Sequence, residues 1–148
     1  MKPTITVIPV AVLLMAVSLA HGAATNQIGI VKTMVGEVVI ARSGGTIRAA
    51  PNLKLYEGDI VRTGANGKAG LILEDDTVIS LGTNGRFAIE SFRFEPSEKK
   101  LSLVARIFQG TVSFICGQIA KLAPNRVHIK TPYATVGVRG THVLVRVD

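Results

Sequence analysis

The sequence predicts an all-β domain, and three observations carry that reading. From Ile28 onward, short stretches rich in β-branched residues recur between Gly, Asn, Asp and Pro, as strands do between turns. Two stretches alternate strictly: Val127 and Ile129 face one way and Arg126, His128 and Lys130 the other, and Val143, Val145 and Val147 oppose His142, Leu144 and Arg146. No window of about 11 residues or more carries helical periodicity. The expected architecture is one rolled, solenoid-like or sandwich sheet of roughly ten to twelve short strands.

The first expected strand, Ile28–Met34, is followed by Glu37–Ala41, and Ser43-Gly44-Gly45 turns the chain back into Thr46–Ala49. Glu57-Gly58-Asp59 leads into Asp59–Arg62. Asn66-Gly67 and Asn84-Gly85 readily supply the positive φ of tight connections, and they open Lys68–Leu73 and Arg86–Phe94. Between these, Glu74-Asp75-Asp76 reads as a solvated turn before Val78–Leu81. Lys100–Phe108 and Thr111–Cys116 come next. Ile119–Leu122, confined by Gly117 and Pro124, is too short for a stable helix and is expected to be a connection. Arg126–Thr131, Ala134–Val138 and His142–Val147 complete the set, with Pro124-Asn125 marking a turn before them.

Gly64-Ala65-Asn66-Gly67-Lys68-Ala69 and Gly82-Thr83-Asn84-Gly85-Arg86-Phe87 align at an offset of 18 residues, with Gly, Asn, Gly and a cation in register. That spacing suits either one coil of a solenoid or two similar hairpins in a meander.

At 148 residues the chain has room for one domain. Residues 1–24 run from Lys2 through the apolar segment Ile8 to Val17 into the small residues Ala20-His21-Gly22-Ala23-Ala24, the order of a cleavable signal peptide. The apolar run is shorter than the roughly 20 residues a membrane span needs, and Pro9 interrupts its start. Cleavage is expected after Gly22 or Ala24, leaving a β domain over residues 28–148, periplasmic or otherwise exported, with no transmembrane span. Cys116 is the single cysteine, so no internal disulfide can form, and its apolar neighbours suggest a buried, inert thiol.

With 17 Lys and Arg against 10 Asp and Glu the net charge is +7. In an exported protein such a balance points away from nucleic acid and toward anionic glycan, phospholipid or acidic protein partners, where it does not serve solubility alone.

No catalytic constellation stands out. Neither Gly-x-Ser-x-Gly nor a Cys and His family signature is present, so no hydrolase chemistry and no enzyme activity is expected. His128, His142 and Cys116 are the candidate metal ligands, but they lack ligand spacing and could converge only if the two histidine strands pair; neither metal nor cofactor is expected. Glu74-Asp75-Asp76 lacks the Gly and distal Glu of a calcium loop. Gly137-Val138-Arg139-Gly140-Thr141 is either a tight bend or a place where backbone N–H groups and Arg139 grip an anion, and the two roles are compatible. The binding candidates are therefore Arg126, His128 and Lys130 on one strand face, and Arg139, Gly140 and Thr141 in the bend.

Several ordered blocks resemble a FecR domain. They are Gly36-Glu37-Val38, the run Leu55 to Thr63 (LYEGDIVRT), Ala69-Gly70-Leu71-Ile72-Leu73 leading into Asp76 to Gly82, then Gly110-Thr111-Val112 and the closing block Ile129 to Thr141 (IKTPYATVGVRGT). The resemblance covers Gly36 to Val147 and implies a β-rich periplasmic sensing or scaffold module that acts through an envelope or outer-membrane protein partner. Members that signal across a membrane also carry a cytoplasmic sigma-factor-regulating segment and a membrane helix; here a leader stands in their place. Asp75-Asp76-Thr77 replaces the usual Asp-Gly-Thr turn, Val143 replaces a common aromatic, and the family pattern is expected to continue one hairpin past Asp148.

Overall fold

The computed structural model describes residues 26–148, so the expected leader lies outside the described residues. It contains the strands β1 (Gln27–Val35), β2 (Val38–Arg42), β3 (Gly45–Arg48), β4 (Lys54–Tyr56), β5 (Ile60–Thr63), β6 (Lys68–Leu73), β7 (Val78–Leu81), β8 (Arg86–Glu95), β9 (Lys100–Ile115), β10 (Val127–Lys130), β11 (Thr135–Gly137) and β12 (His142–Val147). The all-β expectation holds, with one five-residue helix, α1 (Gln118–Leu122), where a plain connection is expected. Among the described residues no helix is long and apolar enough to cross a membrane.

The strands form one curled sheet in the order β3-β2-β5-β8-β9-β7-β6-β1-β4. Its spine is β9, which is 16 residues long rather than the two strands expected there. The first half of β9 lies between β8 and β10, and its second half between β7 and β12. β10 runs parallel to β9; the other pairings are antiparallel. β4, not expected from the sequence, closes the far edge beside β1.

Period-two alternation turns one face of each half inward. Ile40, Val61, Phe87 and Ile107 stand in one register row of the first half, and Val31, Leu71, Ile79 and Phe114 in one row of the second. All eight are buried, and Phe87 meets Phe114 edge to face at 5.9 Å across the core. Burying each such side chain stabilises the roll by about 1.5–3 kcal/mol, so this interior dominates its energetics.

The chain passes between the two halves along one seam, at Gly36, at Gly64–Gly67, at Gly82–Gly85 and in mid-strand at Gly110. These corners stack on each other. The Gly64 amide donates to the Glu37 carbonyl (2.9 Å), the Asn84 amide to the Gly64 carbonyl (3.0 Å) and the Gly82 amide to the Thr111 carbonyl (2.9 Å). The Thr63 hydroxyl donates to the Gly82 carbonyl (2.6 Å) and accepts the Gly85 amide (2.8 Å). The repeated segments are thus two equivalent corners docked side by side. Gly110 bends β9 through φ +96°, and a Cβ there would meet the Gly85 Cα at 2.7 Å, so glycine alone fits.

The opposite end of the second half is closed at the expected turn, where Glu74 and Asp76 are exposed but Asp75 is not solvated. Asp75 is fully buried. Its carboxylate accepts the Thr77 amide (3.1 Å), the Thr77 hydroxyl (2.9 Å) and the Ile119 amide (3.2 Å), while its carbonyl accepts the Gln118 amide (2.7 Å). These contacts and the burial of Ile119 hold the single turn of α1, which could not persist alone.

Candidate functional site

The strand β12 leaves one backbone edge open among the described residues. Among the described residues it pairs with β9 alone. The Thr141 carbonyl accepts the Cys116 amide at 2.8 Å, and the register continues without a shift from His142 opposite Ile115 to Val147 opposite Gly110. Antiparallel alternation then directs the backbone groups of Val143, Val145 and Val147 toward β9 and those of His142, Leu144 and Arg146 toward the open edge. Leu144 is 68% exposed.

Beside this edge, Thr33, Gly70, Ser80, Ser113 and Leu144 form one register row across β1, β6, β7, β9 and β12. The row contains no charged side chain and floors a groove of about 400 Å³. Ser113 Oγ and His142 Nε2 are 2.7 Å apart, a pairing across 29 positions with no local signal in the sequence. Among the described residues no carboxylate hydrogen-bonds His142, and the strand around Ser113 is laddered on both sides by β7 and β12.

The expected binding residues are spread over several elements. Arg126 does not share the strand face, because β10 begins at Val127 and Arg126 belongs to the 3₁₀ turn Pro124–Arg126. His128 and Lys130 do face outward from β10, and Lys130 Nζ donates to Glu90 Oε2 at 3.2 Å. Arg139, Gly140 and Thr141 are exposed in the link from β11 to β12, where Gly140 has φ +137°. His128 stands opposite Val104 and Gly137, whereas His142 stands opposite Ile115, so the two histidines are not paired neighbours. No cluster of three or more His, Cys, Asp or Glu fit to hold a metal occurs among the described residues. Cys116 is half-buried rather than buried; burial, and then the charge of Asp75, push its thiol up from the ordinary range.

A second feature escaped sequence reasoning. Arg48 pairs with Val39, Val39 with Arg62, and Arg62 with Arg86, so three exposed arginines share one outward row across β3, β2, β5 and β8. The adjacent row places Ala88 beside Arg106 and Arg106 beside Lys130. The guanidinium carbons of Arg86 and Arg106 lie 4.7 and 5.9 Å from the centre of the Phe108 ring. Glu90, in the β8 bulge, accepts from both Arg106 and Lys130. Burial alone would raise its carboxyl, but those two hydrogen bonds and charges outweigh burial and hold it below its ordinary value.

The model of the FecR protein family matches residues 59–148, which run from the buried Asp59 through β5 to the end of the chain. No curated protein and no solved structure matches the chain.

Proposed function

The chain belongs to the FecR family, and from that premise we propose that it is a non-enzymatic cell-envelope module that holds a protein partner along β12. On this reading residues 1–24 are a cleaved leader, residues 28–148 form one binding domain in the periplasm, and the partner is an envelope or outer-membrane protein. The observation that carries the proposal is the open edge of β12. Among the described residues three alternate positions, His142, Leu144 and Arg146, turn backbone groups to an incoming strand, and the groove beside Leu144, whose one charged lining residue is Lys68, can receive that strand's side chains. Backbone pairing of this kind is insensitive to salt, unlike attraction to a basic surface. An alternative use of Arg126, Lys130 and Arg139 for anionic glycan or lipid has less support, since the three cations stand on a turn, a strand and a loop.

The test is a crosslinking pull-down from native envelopes with tagged wild type and Leu144→Pro, at low and high salt. Proline at position 144 removes an N–H that faces the open edge, not the ladder with β9. Recovery of one protein that resists salt and is lost with Leu144→Pro is expected. Equal recovery by the variant, or salt-sensitive recovery of glycan or lipid alone, would overturn the proposal.

A further inference from the structure

The outward face of β3, β2, β5, β8, β9 and β10 carries a cationic stripe that the edge-strand reading does not use. Arg48, Arg62, Arg86, Arg106 and Lys130 occupy two adjacent register rows, and Glu90 pairs with the last two. Glu37, placed by register beyond Val39, lies against Gly64 at the margin of the stripe and forms no ion pair among the described residues. Arg62 and Arg86 are directly opposed on neighbouring strands, an arrangement that repels and is destabilising unless an anion sits between the two guanidinium groups.

We propose that this stripe binds a linear anionic polysaccharide. Six neighbouring strands spaced by about 4.8 Å make a track of roughly 24 Å perpendicular to the strands, which suits a chain carrying successive anionic groups. Guanidinium forks pair bidentately with carboxylate, phosphate or sulfate. The stacking of Arg86 and Arg106 on Phe108 holds two of the forks in place before any ligand arrives.

Two other polyanions fit less well. A bilayer surface is gripped by cations together with apolar side chains that insert, and here Val39 and Phe108 are half-buried between the arginines. Single-stranded nucleic acid needs aromatic platforms free for base stacking, and Phe108, the one aromatic ring among these rows, already carries two guanidinium groups.

The test measures binding of the purified chain to fluorescent oligouronate and oligosaccharide sulfate, with neutral dextran, single-stranded DNA and anionic vesicles alongside. Arg48→Ala/Arg62→Ala/Arg86→Ala is compared with Lys32→Ala/Lys54→Ala/Lys121→Ala, which removes the same charge from exposed positions elsewhere. Circular dichroism and the thermal midpoint verify that both variants fold. The stripe variant is expected to lose about tenfold or more in affinity for at least one anionic glycan, and the control to stay within about twofold. The better of uronate and sulfate identifies the anionic group. Equal losses in both variants, no glycan binding, or tighter binding to DNA or vesicles than to either glycan would overturn the proposal.

Discussion

The Asp75 carboxylate accepts the Ile119 amide at 3.2 Å across 44 positions of sequence, and both residues are buried. This bond ties the β6–β7 hairpin to the segment that leaves β9, fixing where the chain turns toward β10.

Asp75→Ala would strand the Thr77 hydroxyl and two amides in the interior, since each bond to a buried carboxylate is stronger than a neutral one. A loss of about 3–5 kcal/mol is expected in urea unfolding. Asp75→Asn keeps one acceptor oxygen and should lose clearly less; equal losses would show that the carboxylate is not the organising group.

A second buried acid depends on a partner outside the matched family region. Arg42 Nε and a terminal nitrogen donate to the two Asp59 oxygens at 2.8 and 2.6 Å, and the Tyr56 amide reaches Asp59 at 2.9 Å. Arg42→Ala leaves Asp59 buried without its cation, so a loss of about 3–5 kcal/mol is expected. Arg42→Lys should recover only part of that, because an ammonium cannot reproduce the two-pronged contact or lie as a plane over Tyr56. Equal stability of the Lys variant and wild type in the same unfolding measurement would refute this account.

Glu90 gives stability a dependence on acid. Its carboxyl is held below the ordinary range in the folded chain, so the stabilisation is present above the unfolded value and is lost as pH falls through the folded one. Glu90→Gln should flatten that acid limb while changing stability near neutral pH by less than about 1 kcal/mol, as the pair is partly solvated. Thermal midpoints between pH 3 and 7 would show it, and an unchanged acid limb would count against the assignment.

Cys116 should titrate late. Its thiol is pushed up by burial and by Asp75, so alkylation by iodoacetamide is expected to be slow near pH 8 and to accelerate only above the ordinary thiol range, with unfolding in urea restoring normal reactivity. The sign for stability follows: the folded thiol holds its proton more tightly, and that contribution, present below the unfolded value, is lost as pH rises through the folded one. Reactivity equal to that of a free thiol in the folded protein would contradict the placement.

The fold was legible in the sequence wherever the signal was local. Alternation places Val127 and Ile129 in the core, and both are buried. Asn66-Gly67 and Asn84-Gly85 were turns, and both are corners. What depends on distant segments was hidden. Lys54-Leu55-Tyr56 is too short to announce itself and becomes β4 only beside β1. Lys100–Phe108 and Thr111–Cys116 read as two strands, whereas the stacked corners carry one strand, β9, through the positive φ of Gly110. Asp75 sat in an acidic, turn-like triplet, and nothing nearby revealed that Ile119 would cover it. For the same reason the stripe was invisible: Arg48, Arg62 and Arg86 meet only through strand register.

The stacked corners also set where the length of this chain can vary. Each corner hydrogen-bonds to the next, and Gly110 touches Gly85 with no space for a methyl group, so an inserted residue at any one of them would displace its neighbours in turn. The hairpin tips at Ser43-Gly44 and Pro96–Glu98 project into solvent and carry no such load. Insertions, peptide tags or reporter loops belong at those tips, where the roll can lengthen outward while its seam keeps one fixed pitch.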